Sequence, residues 1–201
     1  MIRLFSVFSL LCLFFSSFSL SLSPPDLSAD FSLVQNATFF QFVPGADGWM
    51  MGTGWIKTES LFGFGLRTEW KCWGVLPAHG SVLTRADLNA SFYLSNYTGN
   101  EPQSCVSIPF EPVSNPWSWL SSPSAQYAGP GQADCGATDT WSTALPANMT
   151  AVSICRSTGA VAYAAQFTSR YFSAGNVHVW NPNPPNKSVF ALPRVCEESL
   201  Q

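Results

Sequence analysis

His79 and His178 are the only histidines in the chain. Acid–base or nucleophilic chemistry at neutral pH would have to be built around one of them, or around paired carboxylates. His79-Gly-Ser81 sets a base near a hydroxyl, the raw material of acyl transfer, but so close a pair rarely forms a triad and reads instead as a surface turn. Asp134 and Asp139 flank Cys135-Gly136 and suggest a carboxylate pair or a calcium loop. The ligand spacing of an EF-hand does not surround them, so they read as part of a polar loop. Gly52-Thr-Gly54 and Gly63-Phe-Gly65 lack the further glycine, the helix and the lysine of a phosphate-binding loop, and read as strand kinks. No H-E-x-x-H, nucleophile elbow or Cys/His pair occurs. The sequence points away from an enzyme, with no catalytic residue and no cofactor expected and with metal ligands unassigned.

The elements that hold these residues come from an apolar chain. It has 201 residues, nine Lys+Arg against twelve Asp+Glu, a formal charge of −3 and 10% charged residues. A nucleic-acid reader needs a basic surplus, and the sign here is opposite. The 15 Pro and 14 Gly interrupt the chain too often for a coiled coil. Met1-Ile2-Arg3, the apolar run from Leu4 to Phe18 and the small residues Ser19-Leu20-Ser21 read as a signal peptide over residues 1–21. Residues 22–201 then form one domain, with no transmembrane anchor expected after the leader. The expected setting is secreted or extracellular, with a lysosomal or other luminal compartment as the alternative.

Beyond that leader the cysteines are Cys72, Cys105, Cys135, Cys155 and Cys196, with no CxxC pair and no zinc-ligand rhythm. Two disulfides and one remaining thiol fit an oxidising compartment, and spacing alone leaves the pairing open. Five N-x-S/T sequons follow the leader, at Asn36, Asn89, Asn96, Asn148 and Asn186. Together they predict a glycoprotein with those side chains toward solvent.

Alternation predicts strands. Leu66, Trp70 and Cys72 alternate with Arg67, Glu69 and Lys71, giving a half-buried strand with its charges outward. Ala90, Phe92 and Leu94 share a face opposite Asn89, Ser91 and Ser95, which places Asn89 on the solvent side. Asn96 has the wrong parity for that side and reads as lying past the strand, in a turn through Tyr97 to Asn100. Met149–Arg156 reads as a strand. Ala160 to Phe172 reads as a second, with Val161, Tyr163, Phe167 and Tyr171 on one face, although Tyr163, Phe167 and Tyr171 also fit one helix face. Several such segments between Gly/Pro turns imply an antiparallel sandwich or open barrel. The eight Trp serve as core, as the lining of an apolar cavity, or as platforms for sugar rings.

Cys105-Val-Ser-Ile-Pro-Phe-Glu-Pro112, then Gln126-Tyr-Ala-Gly-Pro-Gly-Gln132, then Trp141 resemble the middle of the ependymin-related family. Cys155, Tyr171-Phe172, Asn181-Pro-Asn-Pro-Pro185 and Phe190-Ala-Leu-Pro-Arg-Val-Cys196 follow in the same order, and Trp70-Lys-Cys72 and Ser91-Phe-Tyr-Leu94 precede them. The chain departs from the family in lacking a Cys near the mature N-terminus and any Cys after Cys196, while Cys135 is additional. The resemblance implies a mainly all-β fold, with two curved antiparallel sheets in a sandwich or half-barrel around an apolar pocket, similar to bacterial lipoprotein carriers. It also implies a lipid or other hydrophobic ligand, and calcium-linked matrix or adhesive roles in the extracellular space. It implies a Cys105–Cys196 disulfide, against an alternative in which Cys155 pairs with Cys196 and Cys105 with Cys72. Strand parity joined to the resemblance places Leu66/Trp70, Phe92/Leu94 and Tyr163/Phe167 in that pocket. The competing function is a carbohydrate-binding or adhesive β-sandwich, whose tryptophans would lie on an open face beside polar groups.

Overall fold

A computed structural model describes residues 23–42, 49–74, 78–143, 149–167 and 171–197. The expected signal peptide and Asn148 lie outside these residues. Short turns and alternating side chains generate a six-strand meander: β1 (Phe31–Phe42), β2 (Trp49–Leu61), β3 (Gly65–Trp73), β4 (His79–Arg85), β5 (Ala90–Thr98) and β6 (Glu101–Ile108). A five-strand meander follows: β7 (Ala125–Ala133), β8 (Gly136–Thr143), β9 (Met149–Cys155), β10 (Val161–Phe167) and β11 (Tyr171–Asn181). Two 3-10 turns, η1 (Ser118–Ser121) and η2 (Lys187–Phe190), and the one-turn helix α1 (Arg194–Glu197) complete the described elements. The segment from Val161 to Phe167 is a strand, held by β9 on one side and β11 on the other, so pairing settles the ambiguity of its alanines. It does not run on to Phe172 as expected: Tyr171 and Phe172 open β11, where Phe172 stands across from Phe167.

Every pairing is antiparallel. The order is β6-β5-β4-β3-β2-β1-β11-β10-β9-β8-β7. The mainly β, antiparallel, curved architecture therefore stands, but as one continuous open sheet of 11 strands where two sheets were expected. The reason is the central strand. β1 pairs along its whole length with β2 and offers its other edge to β11, which joins the two meanders edge to edge.

Two segments cover the sheet, one on each face. Residues 109–124, with η1, cross the loop face. There Trp117 and Leu120 close over Phe31, Leu33, Trp141, Val152 and Ile154. Phe31 lies 5.3 Å from the rings of both Trp117 and Trp180. Residues 186–197 cross the opposite, tail face, where Phe190 and Cys196 close over Leu83, Phe92 and Leu94. Gly65 leaves the space for Phe190, since a Cβ there would meet the ring at 2.8 Å. Arg67 Nη1 donates to the Val189 carbonyl at 3.1 Å and Arg85 Nη1 to the Phe190 carbonyl at 2.8 Å. Of the β3 charges, Arg67 and Glu69 are therefore half-buried, Arg67 against the tail, while Lys71 is exposed as alternation suggested.

The structure joins Cys105 to Cys196, with Cα atoms 5.2 Å apart, and Cys135 to Cys155, with Cα atoms 6.1 Å apart. The first is the pairing implied by the family resemblance. Cys72 is buried on β3 and belongs to neither bridge, and burial pushes its thiol pKa up. Two disulfides are the mark of a chain that matures in an oxidising compartment. No helix among the described residues is long and apolar enough to cross a membrane.

Candidate ligand groove

The residues singled out for chemistry are dispersed: His79, Ser81 and Asp139 are engaged by neighbouring side chains, while Asp134 and His178 line a cavity. His79 starts β4 and does not sit in a surface turn. Its Nε2 lies 2.9 Å from Glu69 Oε1, and its ring stacks on Tyr97 at 3.7 Å. Ser81, fully buried, shares a 2.7 Å hydrogen bond with the Tyr97 hydroxyl. Asp139 accepts from Arg156 Nε at 3.0 Å and Nη2 at 2.7 Å, and from the Tyr127 hydroxyl at 2.7 Å. The Arg156 hydrogen bonds, then that of Tyr127, hold the Asp139 carboxyl below the usual carboxylate range. Asp134 lies in the β7–β8 turn and lines a cavity on the other face of the sheet from that cluster. The two aspartates thus do not fit a calcium site, and among the described residues no three His, Cys, Asp or Glu gather as metal ligands.

The six residues expected to line one pocket are not brought together. Leu66 stands across from Ser60 and Thr84 in the ladder, in line with Phe31, which puts Leu66 and Trp70 on the loop face. Phe92 stands across from Leu83, itself across from Arg67, which puts Phe92 and Leu94 on the tail face. Both are fully buried beneath Phe190 in a filled core, not around a void. Trp70 instead lies over Gly80 and packs 6.1 Å from Tyr93. Tyr163 alone of the six lines a cavity; Phe167 pairs with Phe172 and is described through its backbone.

The cavities lie on the tail face beyond the tail. Lys57–Glu59 and Arg67–Glu69 ion pairs, with His79, form a charged seam at the limit of the tail-covered half. Past it the sheet is open. One cavity of about 690 Å³ is floored by Thr138, Thr140 and Ser153 and flanked by Val161, Tyr163 and the Cys135–Cys155 bridge. A second of about 680 Å³ is bounded by Asn36, Thr38, Thr53 and Trp73. Tyr163, Asn176 and His178 belong to both, so the two make one groove across eight strands, from β3 to β7. At ~4.8 Å between neighbouring strands it extends about 34 Å along the sheet.

The groove floor is polar, and an apolar patch of Phe40, Phe172 and Met51 lies beside it on the same face, outside the cavity lining. Phe40 and Phe172, on the same strand faces as Thr38 and Ala174, pack at 5.7 Å, with Met51 and Trp73 61% and 62% exposed on the adjacent strands. The floor of hydroxyl and amide side chains offers hydrogen bonds, and among the described residues neither cavity is lined by a lysine or an arginine. Sequence reasoning missed Trp73, Thr138, Thr140 and Asn176. The two-residue spacing of Thr138 and Thr140 was a legible signal of a shared polar face.

The sequons fall in different settings. Asn36 is exposed on β1 at the cavity edge. Asn89 is exposed in the β4–β5 turn at φ 48°, while Ser91 of its expected solvent face is buried and bonded to Thr84 at 2.9 Å. Asn96, expected beyond the strand, is exposed within β5 at φ 56°, and the turn proper is Gly99-Asn100. Asn186 is exposed and accepts from the Ser188 N–H at 2.9 Å, capping η2.

No family model and no curated protein matches the chain. Solved structures of low likeness do. An uncharacterized conserved protein from Thermus thermophilus has a TM-score of 0.45 at 9% identity, over 80% of this chain and 86% of that one. A LolA superfamily protein from Nitrosomonas europaea has a TM-score of 0.32 at 6% identity, over 80% and 90%. A putative outer membrane lipoprotein-sorting protein domain from Vibrio parahaemolyticus has 0.27 at 8%, over 82% and 91%.

Proposed function

We propose that the chain is a non-enzymatic binding protein that holds an uncharged, amphipathic small molecule, apolar along part of its length, in the groove on the tail face. The observation that carries this reading is the pair of joined cavities, about 690 and 680 Å³, with no lysine or arginine among the described lining residues. Each is of the size that takes a drug-sized ligand. A phosphate or carboxylate placed there would find no lysine or arginine among the described lining residues to offset its lost hydration. A neutral lipid would meet the apolar groups of Val161 and Tyr163 and the hydroxyl and amide groups of Thr140, Ser153 and Asn176. The ependymin-like motifs support a hydrophobic cargo independently of this geometry. A secreted glycoprotein fits the two disulfides and the sequons.

Native mass spectrometry of the purified protein, followed by titration with a fluorescent diacylglycerol, tests the reading. The expected result is saturable binding that a fluorescent fatty acid matches only when its carboxyl is esterified. Absence of saturable binding by every lipid would overturn it. One observation favours a second reading: Trp73 is exposed beside Asn36, Thr38 and Thr53, the arrangement of an aromatic platform for sugar. Saturable binding of a free oligosaccharide, with none of lipid, would establish that reading instead.

A further inference from the structure

Asn36 and Thr38 are the first and third residues of a sequon, and they stand on one face of β1 as part of the wall of a cavity. Asn36 is exposed. Its partner across the β1–β2 ladder is Trp55, and two positions along β2 Thr53 pairs with Trp73, which is 62% exposed. A sugar chain starting at this exposed amide begins at the wall of the groove, with Trp55 directly across the ladder and Trp73 one strand further on the same face. We propose that Asn36 carries an N-linked glycan whose core sugars lie against Trp73 and Trp55, closing the β1–β3 half of the groove and leaving the β7–β10 half as the ligand site. This rests on the groove being the binding site.

The order of events follows from the fold. β1 is hydrogen-bonded on both edges, so the sequon can meet a transferase only before the sheet closes. The transfer forms a bond from Asn36 Nδ2 to the anomeric carbon of the first sugar. The bond from that carbon to the diphosphate of a lipid-linked oligosaccharide donor breaks, and an amide proton leaves with base. The apolar face of a pyranose covers an indole as an aromatic ring would, and the amides and hydroxyls of Asn176, Thr38 and Thr53 face its polar rim. The other described sequons lie elsewhere. Asn89 sits in the β4–β5 turn and Asn186 caps η2, and neither lines a cavity described above.

Glycopeptide mass spectrometry of secreted protein is the first measurement, with Asn36 occupied as the expected result and an unoccupied Asn36 overturning the proposal. Endoglycosidase release is then compared in native and denatured protein. The Asn36 glycan is expected to resist release in the native state while the Asn89 glycan does not; equal release at both sites would overturn the placement. Last, the fluorescent diacylglycerol is titrated into wild type, Asn36→Gln and Asn89→Gln. Glycan stacking comparable to an aromatic pair withholds part of the groove, so Asn36→Gln should tighten binding about two- to tenfold and Asn89→Gln should leave it unchanged. Identical affinities in all three would show that the glycan does not close the groove. If none of the three binds lipid, the ligand reading fails while the release comparison still decides where the glycan lies.

Discussion

Removing the Cys105–Cys196 bridge should destabilise the protein more than removing Cys135–Cys155, and the difference follows from chain length. The bridges close loops with sequence separations of 91 and 20 residues. In the chain-entropy model, denatured-state restriction contributes about 4.6 kcal/mol for the longer loop and about 3.3 kcal/mol for the shorter. A second effect acts in the same direction. Cys196 is fully buried in the cluster that holds Phe190, and without the bridge the tail is kept by Phe190, by the two arginine hydrogen bonds to its carbonyls and by nearby apolar contacts. Should the tail lift, Phe190, Leu83, Phe92 and Leu94 meet water, at roughly 1.5–3 kcal/mol per fully uncovered side chain. The assay is urea unfolding of Cys105→Ala/Cys196→Ala and of Cys135→Ala/Cys155→Ala, followed by tryptophan fluorescence. The first double variant should lose at least about 1 kcal/mol more than the second. Its tail should also become the earliest site of limited proteolysis, since the segment is short, Pro-rich and attached at few points. Equal losses, with a tail as resistant as in wild type, would refute the claim that this bridge clamps the cover of the tail face.

Phe190→Ala should cost about 3–5 kcal/mol in the same unfolding assay, because the ring is fully buried and Gly65 beneath it cannot fill the space. Tyr163→Ala should weaken binding of the fluorescent diacylglycerol about tenfold, since Tyr163 lines both cavities and aromatic anchors dominate such sites; calorimetry should show a much smaller relative effect on Tm than for Phe190→Ala. Arg156→Met should lower the urea midpoint near neutral pH, by an amount that shrinks as the pH is taken below the ordinary carboxylate value of about 4. The Asp139 carboxyl has a depressed folded-state pKa, so its contribution is present above the ordinary carboxylate value of about 4 and is lost as pH falls through the lower, folded-state value. A wild-type-to-variant gap that persists undiminished in acid would show that the cluster acts through packing.

Strand identity was legible because alternation is a local property, and Arg67, Glu69 and Lys71 set against Leu66, Trp70 and Cys72 announced β3. Relative facing was not. Parity says which residues of one strand lie together, but only the hairpin register says whether Leu66 or Arg67 stands across from Leu83. That single offset sends Trp70 and Phe92 to opposite sides of the sheet and dissolves the pocket expected from them. The packing of the tail was illegible for a related reason. Its Pro and Asn content gives little periodic signal, yet one aromatic, Phe190, enters a space left by a glycine 125 positions earlier in the chain. The spacing of Thr138 and Thr140 marks a polar face, but the groove itself could not be foreseen, because it arises where the tail stops covering the sheet.

The pairing of β1 with β11 bears on how the chain is made. Every other strand pairs with a neighbour in sequence, so each hairpin can form as soon as it leaves the ribosome. β1 is the exception: its second edge waits for β11, whose first residue, Tyr171, comes 129 positions after Phe42. At ~5–20 residues per second of synthesis, that edge stays open for on the order of ten seconds. During that interval β1 exposes Phe31, Leu33 and a row of unpaired amides, the features that recruit foreign strands. The newborn chain is thus a candidate client for holdase chaperones until its last strand closes the seam. A circular permutant that joins the ends of the domain and opens the chain between β6 and β7 would make this pairing early, and should fold with less aggregation at the same final stability.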